Sequence, residues 1–171
     1  MKSYLKPIVL FALIVYGTQY ILIAYLPNLV FAIAKYRSGQ DLNTVIVAPK
    51  TDAKLRRVVL PNPDFVYDAC FYDVSKNDLL ITGEFPDTTL QYCSLAFYGD
   101  NVQPYYVMNN LQGFKRKYSV RLSSVNRVNG CIRVPSKQGA VLMRVLVTDS
   151  VQYAKAKRLQ GLFKATLLSQ D

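Results

Sequence analysis

The stretch 65-FVYDACFYDVSKNDLLITGEF-85 decides how the rest of the chain is read. Two aromatic and branched runs, Phe65–Tyr72 and Leu79–Phe85, flank DVSKND, whose Asp, Ser and Asn residues favour a turn. Both runs therefore read as strands. LPNPD stands just before them. Its prolines stiffen the approach, and Asn62 and Asp64 can bond nearby backbone amides. Asn62, Pro63, Asp64 and Tyr67 are accordingly expected to form a structural motif, a rigid turn feeding a central strand, with Tyr67 in the core and its hydroxyl paired.

Working outward, the pattern stays β. A short strand is expected at Thr44–Val47, closed by Pro49. LQYCSLAFYGD and PYYVMNN read as further strands on either side of Gly99-Asp100-Asn101. In KYSVRLSSVNRV, Tyr118, Val120 and Leu122 alternate with Lys117, Ser119 and Arg121, the period of a half-buried strand. Asn129-Gly130 is a type I′ hairpin signal, which makes CIRV the expected returning strand. GAVLMRVLVT is apolar apart from Arg144 and reads as a strand covered on both faces. Only the tail looks helical: Asp149 or Ser150 can cap VQYAKAKRLQGLF, with Val151, Ala154, Leu159, Leu162 and Phe163 near one stripe, and KATLL follows as a last strand. The fold class expected is mainly β, a β-sandwich or jelly-roll-like domain with a C-terminal amphipathic helix.

Ahead of this domain runs PIVLFALIVYGTQYILIAYLPNLVFAIA, Pro7 to Ala34, without a charge. About 20 apolar residues suffice to cross a bilayer as a helix. The stretch is longer than a secretory h-region, so it is read as an uncleaved single-pass anchor rather than a signal peptide. Gln19, next to Gly17 and Thr18, is a polar side chain that should seek a partner rather than lipid, which makes Gln19 and Gly17 candidates for a helix–helix contact. The lone-anchor alternative has Gln19 bonding a backbone carbonyl. Residues 1–36 are thus expected to form the anchor, 37–60 a linker with the first strand, and 61–171 the β-domain. Lys2 and Lys6 flank one end of the span; Lys35, Arg37, Lys50, Lys54, Arg56 and Arg57 follow the other. Charge alone leaves the orientation open, because long folded domains translocate despite their charges.

The chain contains no histidine, which excludes Ser-His-Asp triads, Cys-His dyads and imidazole metal sites. Cys70, Cys93 and Cys131 fit no CxxC pattern and read as small buried side chains, with a disulfide possible outside the cytoplasm. Asp64 and Asp68, four apart on a strand, would lie more than ~10 Å apart, too far for most paired-carboxylate chemistry. Asp64, Asp73, Asp100 and Asn101 match no EF-hand-like loop. No catalytic, cofactor or metal residues are assigned. Tyr92, Phe97, Tyr98, Tyr105, Tyr106, Phe114 and Tyr118 could line a pocket but read first as core.

Charge is partitioned along the chain. Asp64 to Asp100 holds seven acids against Lys76, and Asn101 to Lys164 holds twelve lysines and arginines against Asp149. The two halves can neutralise each other. Alternatively Lys115, Arg116, Lys117 and Arg121, with Lys155, Lys157 and Arg158, form a basic face toward anionic lipid or an acidic partner. Nucleic acid is not expected, since no recognisable nucleic-acid module accompanies the basic charge.

In ordered series, PNPDFVYDACFYDVSK, FPD, QYCSLAFYGDN and CIRVPSKQGAVLMRVLVTDSVQYAKAKRLQGLF resemble the bacterial family called domain of unknown function 1254, over about Leu55 to Leu168. Phe65 departs from it, standing where the family more often has a small hydroxyl residue. The resemblance implies a β-rich domain, often exported or membrane-attached, and brings no reaction with it. The companion domain of unknown function 1214 is expected to be absent, which would leave one face in need of another partner. The expected function is a non-enzymatic membrane-anchored envelope protein, an accessory or structural subunit binding other membrane proteins or copies of itself. The alternative is an envelope ligand-binding or weakly enzymatic domain using the aromatic cluster and the Asp64 region. A cytoplasm-facing domain is a third possibility.

Overall fold

The computed structural model describes residues 2–49, 62–87, 91–112, 116–125 and 130–169. Helix α1 (Lys2–Ser38) leads into β1 (Thr44–Val47), β2 (Phe65–Asp73), β3 (Asp78–Glu84), β4 (Cys93–Gly99), β5 (Pro104–Asn109), β6 (Lys117–Ser123), β7 (Cys131–Arg133) and β8 (Gln138–Leu146). Helix α2 (Ser150–Leu162) and β9 (Lys164–Leu168) complete the chain. The strands form two sheets, β1-β2-β8-β4-β5 and β7-β6-β3-β9. The protein is mainly β, with a long apolar N-terminal helix and a C-terminal helix, as the sequence predicts.

Alternation builds the core. Along β2 the even positions Val66, Cys70 and Tyr72 are buried and Phe65, Tyr67, Ala69 and Phe71 are half-buried. From the other sheet Leu79, Ile81, Tyr118, Val120 and Leu122 meet them. Tyr118 bridges the two layers, its hydroxyl donating to Met143 Sδ at 3.8 Å. Gly139 is required by close approach: a Cβ there would collide with the Tyr98 carbonyl and the Tyr72 hydroxyl. That hydroxyl donates to the Tyr98 carbonyl at 3.2 Å and lies 3.1 Å from the Tyr105 hydroxyl.

Four expectations are corrected. β7 pairs with β6 in parallel, Arg121 opposite Cys131, so CIRV is not the return of a hairpin. Gly130 keeps the positive φ of 89°; Asn129 lies outside the described residues. β8 alternates between buried and half-buried positions, because only one face of its sheet meets the core. Its apolar composition reflects a central position between β2 and β4. On α2 the buried residues are Ala156, Leu159 and Gln160, whereas Val151 and Ala154 are exposed; the face turned inward is the one that carries Gln160 to Asp68, and Asp149 caps the helix by accepting from the Gln152 N–H. Tyr67 stands on the outer face of its sheet, half-buried, because it is odd in a strand whose even positions point inward.

Part of the charge partition is neutralised between the two halves. Arg121 Nε lies 2.8 Å from Asp78 Oδ2, and Arg116 and Lys117 flank Glu84 at 3.4 and 3.8 Å. All three pairs join β3 to β6 or to Arg116 just before it, basic second half to acidic first half.

Candidate functional site

The feature that dominates this molecule is the junction of α1 with the five-stranded sheet. Lys6–Ser38 is long and apolar enough to cross a membrane, and its most hydropathic window is wholly exposed. At 1.5 Å per residue its 33 residues span about 50 Å, against roughly 30 Å of hydrocarbon. The helix is thus longer than a bilayer core requires.

The last turns of α1 are packed. Pro27, Phe31, Ala34, Lys35 and Ser38 recur at helical spacing and are the least exposed positions there. Phe31 sets its ring edge-on to Phe71, with centroids 5.8 Å apart. Lys35 Nζ donates to Gln138 Oε1 at 3.0 Å, and Gln138 Nε2 donates to Asp73 Oδ2 at 2.7 Å. The Ser75 hydroxyl, more than any other partner, holds the Asp73 carboxyl below the usual carboxylate range; the Ser75 N–H, Gln138 and Lys35 act in the same direction. Asn43 fixes the same strand end: its Oδ1 accepts from the Asp73 N–H at 2.9 Å and its Nδ2 donates to the Asp73 carbonyl at 3.2 Å. Asn43 has φ of 64°, a left-handed conformation that asparagine tolerates. Helix, exit turn and sheet thus meet on Asp73.

Further up α1 the side chains are uncovered. Ile14, Val15, Thr18, Gln19, Leu22 and Ile23 line a shallow, mainly apolar groove. Gly17 has no atom within 4 Å of where a Cβ would stand, so among the described residues nothing occupies the candidate helix–helix face there.

The other residues singled out in the sequence are placed as follows. Asn62 Oδ1 accepts from the Asp64 N–H at 2.9 Å, and the Phe65 N–H donates to the Asn62 carbonyl at 3.1 Å, with Pro63 at the corner. The Asn62 N–H donates to the Tyr67 hydroxyl at 3.2 Å, so the motif closes on itself as a turn. Asp64 lies in that turn and Asp68 points into the core, so the two carboxyls share no site. Lys155, Lys157 and Arg158 are exposed on α2, with Lys157 Nζ 5.8 Å from the Tyr153 ring centre. The β6 members of the expected basic face are those paired with Glu84 and Asp78, and Lys115 lies outside the described residues. Phe97 is buried against Tyr105 and Tyr106, with centroids 6.3 and 5.6 Å away, while Tyr92 sits beside Phe65; Phe114 is not among the described residues. Among the described residues no three acids or cysteines gather as metal ligands. The three cysteines are free, and burial pushes the Cys70 and Cys93 thiols up to about 12.

Sequence reasoning missed the polar groups inside. Asp68 and Gln160 are buried, and Gln160 Nε2 donates to Asp68 Oδ1 at 2.7 Å. Gln91, also buried, donates to the carbonyls of Leu146 and Gln152 at 3.0 and 2.9 Å, tying the start of α2 to the end of β8. The signal for Asp68 was available: it is in phase with Val66, Cys70 and Tyr72. Nothing local announced Gln160 as its partner.

Two packed sheets closed by a helix follow an N-terminal helix long and apolar enough to cross a membrane. The chain belongs to the family described as protein of unknown function DUF1254, whose sequence model matches residues 42–166. The VPA0106 protein from Vibrio parahaemolyticus shares the fold, with a TM-score of 0.62 over 85% of this chain and 37% of its own, at 11% identity. A putative uncharacterized protein from Burkholderia cenocepacia aligns at a TM-score of 0.47 and 15% identity over 91% of this chain and 42% of its own. The chain therefore spans well under half the length of either solved structure. No curated protein matches it.

Proposed function

We propose that this is a single-pass membrane protein of the bacterial envelope that acts by binding, as an accessory or structural subunit of a larger membrane assembly. The β-domain would lie on the periplasmic side of the inner membrane. The observation that carries this reading is the contrast within α1: its last turns are fastened to the sheet through Phe31 and Lys35, while the face around Gln19 is uncovered. A helix that only anchored would have no need of rigid attachment to the domain it carries. A polar side chain in mid-span gains most from a neighbouring helix, since lipid offers it no hydrogen bond. Binding at the span would then be transmitted to the β-domain without a flexible joint.

The test is to solubilise native membranes in mild detergent, size the complex carrying this chain and identify its companions by mass spectrometry. Companions at fixed stoichiometry through a second separation, released by Gln19→Leu with the β-domain still folded, support the subunit reading. A chain that travels alone as a monodisperse monomer sinks it and favours the ligand-binding alternative. Reaction of Cys131 with an impermeant thiol reagent in intact cells, after mild unfolding to expose it, tests the side of the membrane.

A further inference from the structure

Two unsatisfied acceptors inside the β-domain belong to one pair of side chains. Asp68 Oδ2 and Gln160 Oε1 are both buried without a hydrogen-bond partner, although Asp68 Oδ1 and Gln160 Nε2 are joined at 2.7 Å. An ionised carboxylate can only accept, and an amide oxygen can only accept, so as ions and dipoles these two atoms repel. A single proton reconciles them. Placed on Asp68 Oδ2, it can be donated to Gln160 Oε1, and the carboxylic acid and the carboxamide then form a closed two-bond ring.

We propose that in mildly acidic conditions Asp68 is a neutral carboxylic acid in the folded protein, its proton donated to Gln160 Oε1, and that this ring is a pH-sensitive clasp holding α2 to the five-stranded sheet. The surroundings favour the neutral form. Asp68 stands opposite Met143 of β8 and Val47 of β1, and is wholly buried. Burial raises its pKa to about 6, against the smaller opposing influences of Gln160, the Ala48 backbone and Lys157. The other ionisable groups facing it are Cys93 of β4 and Tyr118 of β6, whose own ionisation burial and Asp68 push upward, and Cys70 on the same strand, which burial keeps protonated. The only cation among these neighbours is Lys157, exposed on α2.

The clasp matters because of where α2 sits. Gln160 also donates to the Ala48 carbonyl at 3.4 Å, so one side chain spans β1, β2 and the helix. Ionising Asp68 would remove one ring bond and set a carboxylate against the amide oxygen. A pKa raised in the folded state gives stability that is complete below the ordinary aspartate value of 3.8 and lost as pH rises through about 6. The window is mildly acidic to neutral.

The test uses the full chain in lipid nanodiscs with 13C-labelled aspartate. Carboxyl resonances are followed from about pH 3 to about pH 8. One resonance should titrate with a midpoint of about 6 and disappear in Asp68→Asn. Aspartates that all titrate in the ordinary range, or a late-titrating resonance that survives Asp68→Asn, overturn the proposal. Asp68→Asn replaces the acid O–H with an amide N–H and keeps the ring. Between about pH 4 and about pH 8 the wild-type folding equilibrium should fall on the order of a hundredfold relative to Asp68→Asn. Parallel profiles would refute the clasp. Should Asp68→Asn not fold, Lys157→Gln provides the second measurement: it lies on the surface and should move the midpoint upward, and an unmoved midpoint rejects the assignment.

Discussion

Asp68 and Asp73 stand five residues apart on β2, and the odd separation sends them to opposite faces of one sheet. Asp73 lies at the outer edge among donors: the Ser75 hydroxyl and N–H, Gln138, and Lys35 through Gln138. Its carboxyl is held below the usual range. Asp68 lies inside with one amide, and burial raises it to about 6. The same residue type on the same strand is stabilised as an anion on one side and as a neutral acid on the other. Environment decides, through the balance of desolvation against donors. The outward aspartate fastens the end of α1, and the inward one fastens α2.

The contrast can be broken at several points. Its largest consequence is in stability against pH. The shift from 3.8 to about 6 corresponds to about 3 kcal/mol lost from the β-domain as pH rises from about 4 to about 8. It should show as the difference between wild type and Asp68→Asn in denaturant unfolding, with the wild type losing ground on the alkaline side. An equal slope in both proteins would mean the inward aspartate is not special. Gln160→Leu comes next, removing the partner and leaving a buried acid alone; about 2 kcal/mol is expected, again by denaturant titration. Less than 0.5 kcal/mol would show that the buried amide is not what holds the acid.

On the outer face, Phe31→Ala should cost roughly 1 to 2 kcal/mol, less than a deep core truncation because the ring packs at one edge of the sheet. The readout is faster proteolysis between Ser38 and Thr44 in the full chain, with unchanged unfolding of the β-domain. Unchanged proteolysis would mean that the helix is not held through its ring. The smallest effect is Asp73→Asn. Its depressed pKa gives stability present above 3.8 and lost on acidification, so the variant should lack that acid loss. At neutral pH the partly exposed Lys35 link leaves only a few tenths of a kcal/mol to lose. A large neutral-pH loss would give the outer network more weight than the inner clasp.

Much of this architecture was legible locally. The turn at Asn62–Asp64, the alternation of Tyr118, Val120 and Leu122, the cap at Asp149 and the apolar span each depend on neighbours within a few residues, and each appears where the sequence places it. Tyr67 was misplaced for want of a phase: the period of two says which residues share a face but not which face is inward. Only the joint phase of Val66, Asp68, Cys70 and Tyr72 gives that, and the aspartate among them obscured it. At Asn129-Gly130 the dipeptide supplied the backbone conformation, a positive φ at Gly130, but not the direction of the strand that followed. The docking of α1 was hidden as well, because Phe31 and Ala34 belong to a run that is apolar on every side.

The sequence by itself determined the strands, the turns, the capped tail helix and a helix able to cross a membrane, since these follow from side-chain periodicity and backbone preference over short range. Tertiary structure alone decided that β2 and β3, adjacent in the chain, enter different sheets, and that β2 pairs with β8 across the length of the domain. It also set Gln160 against Asp68, 92 residues away. A strand's pattern fixes the face it buries and leaves its edges the same uniform row of amides and carbonyls. Partners are chosen only when the whole core closes, and with them the proton that Asp68 holds.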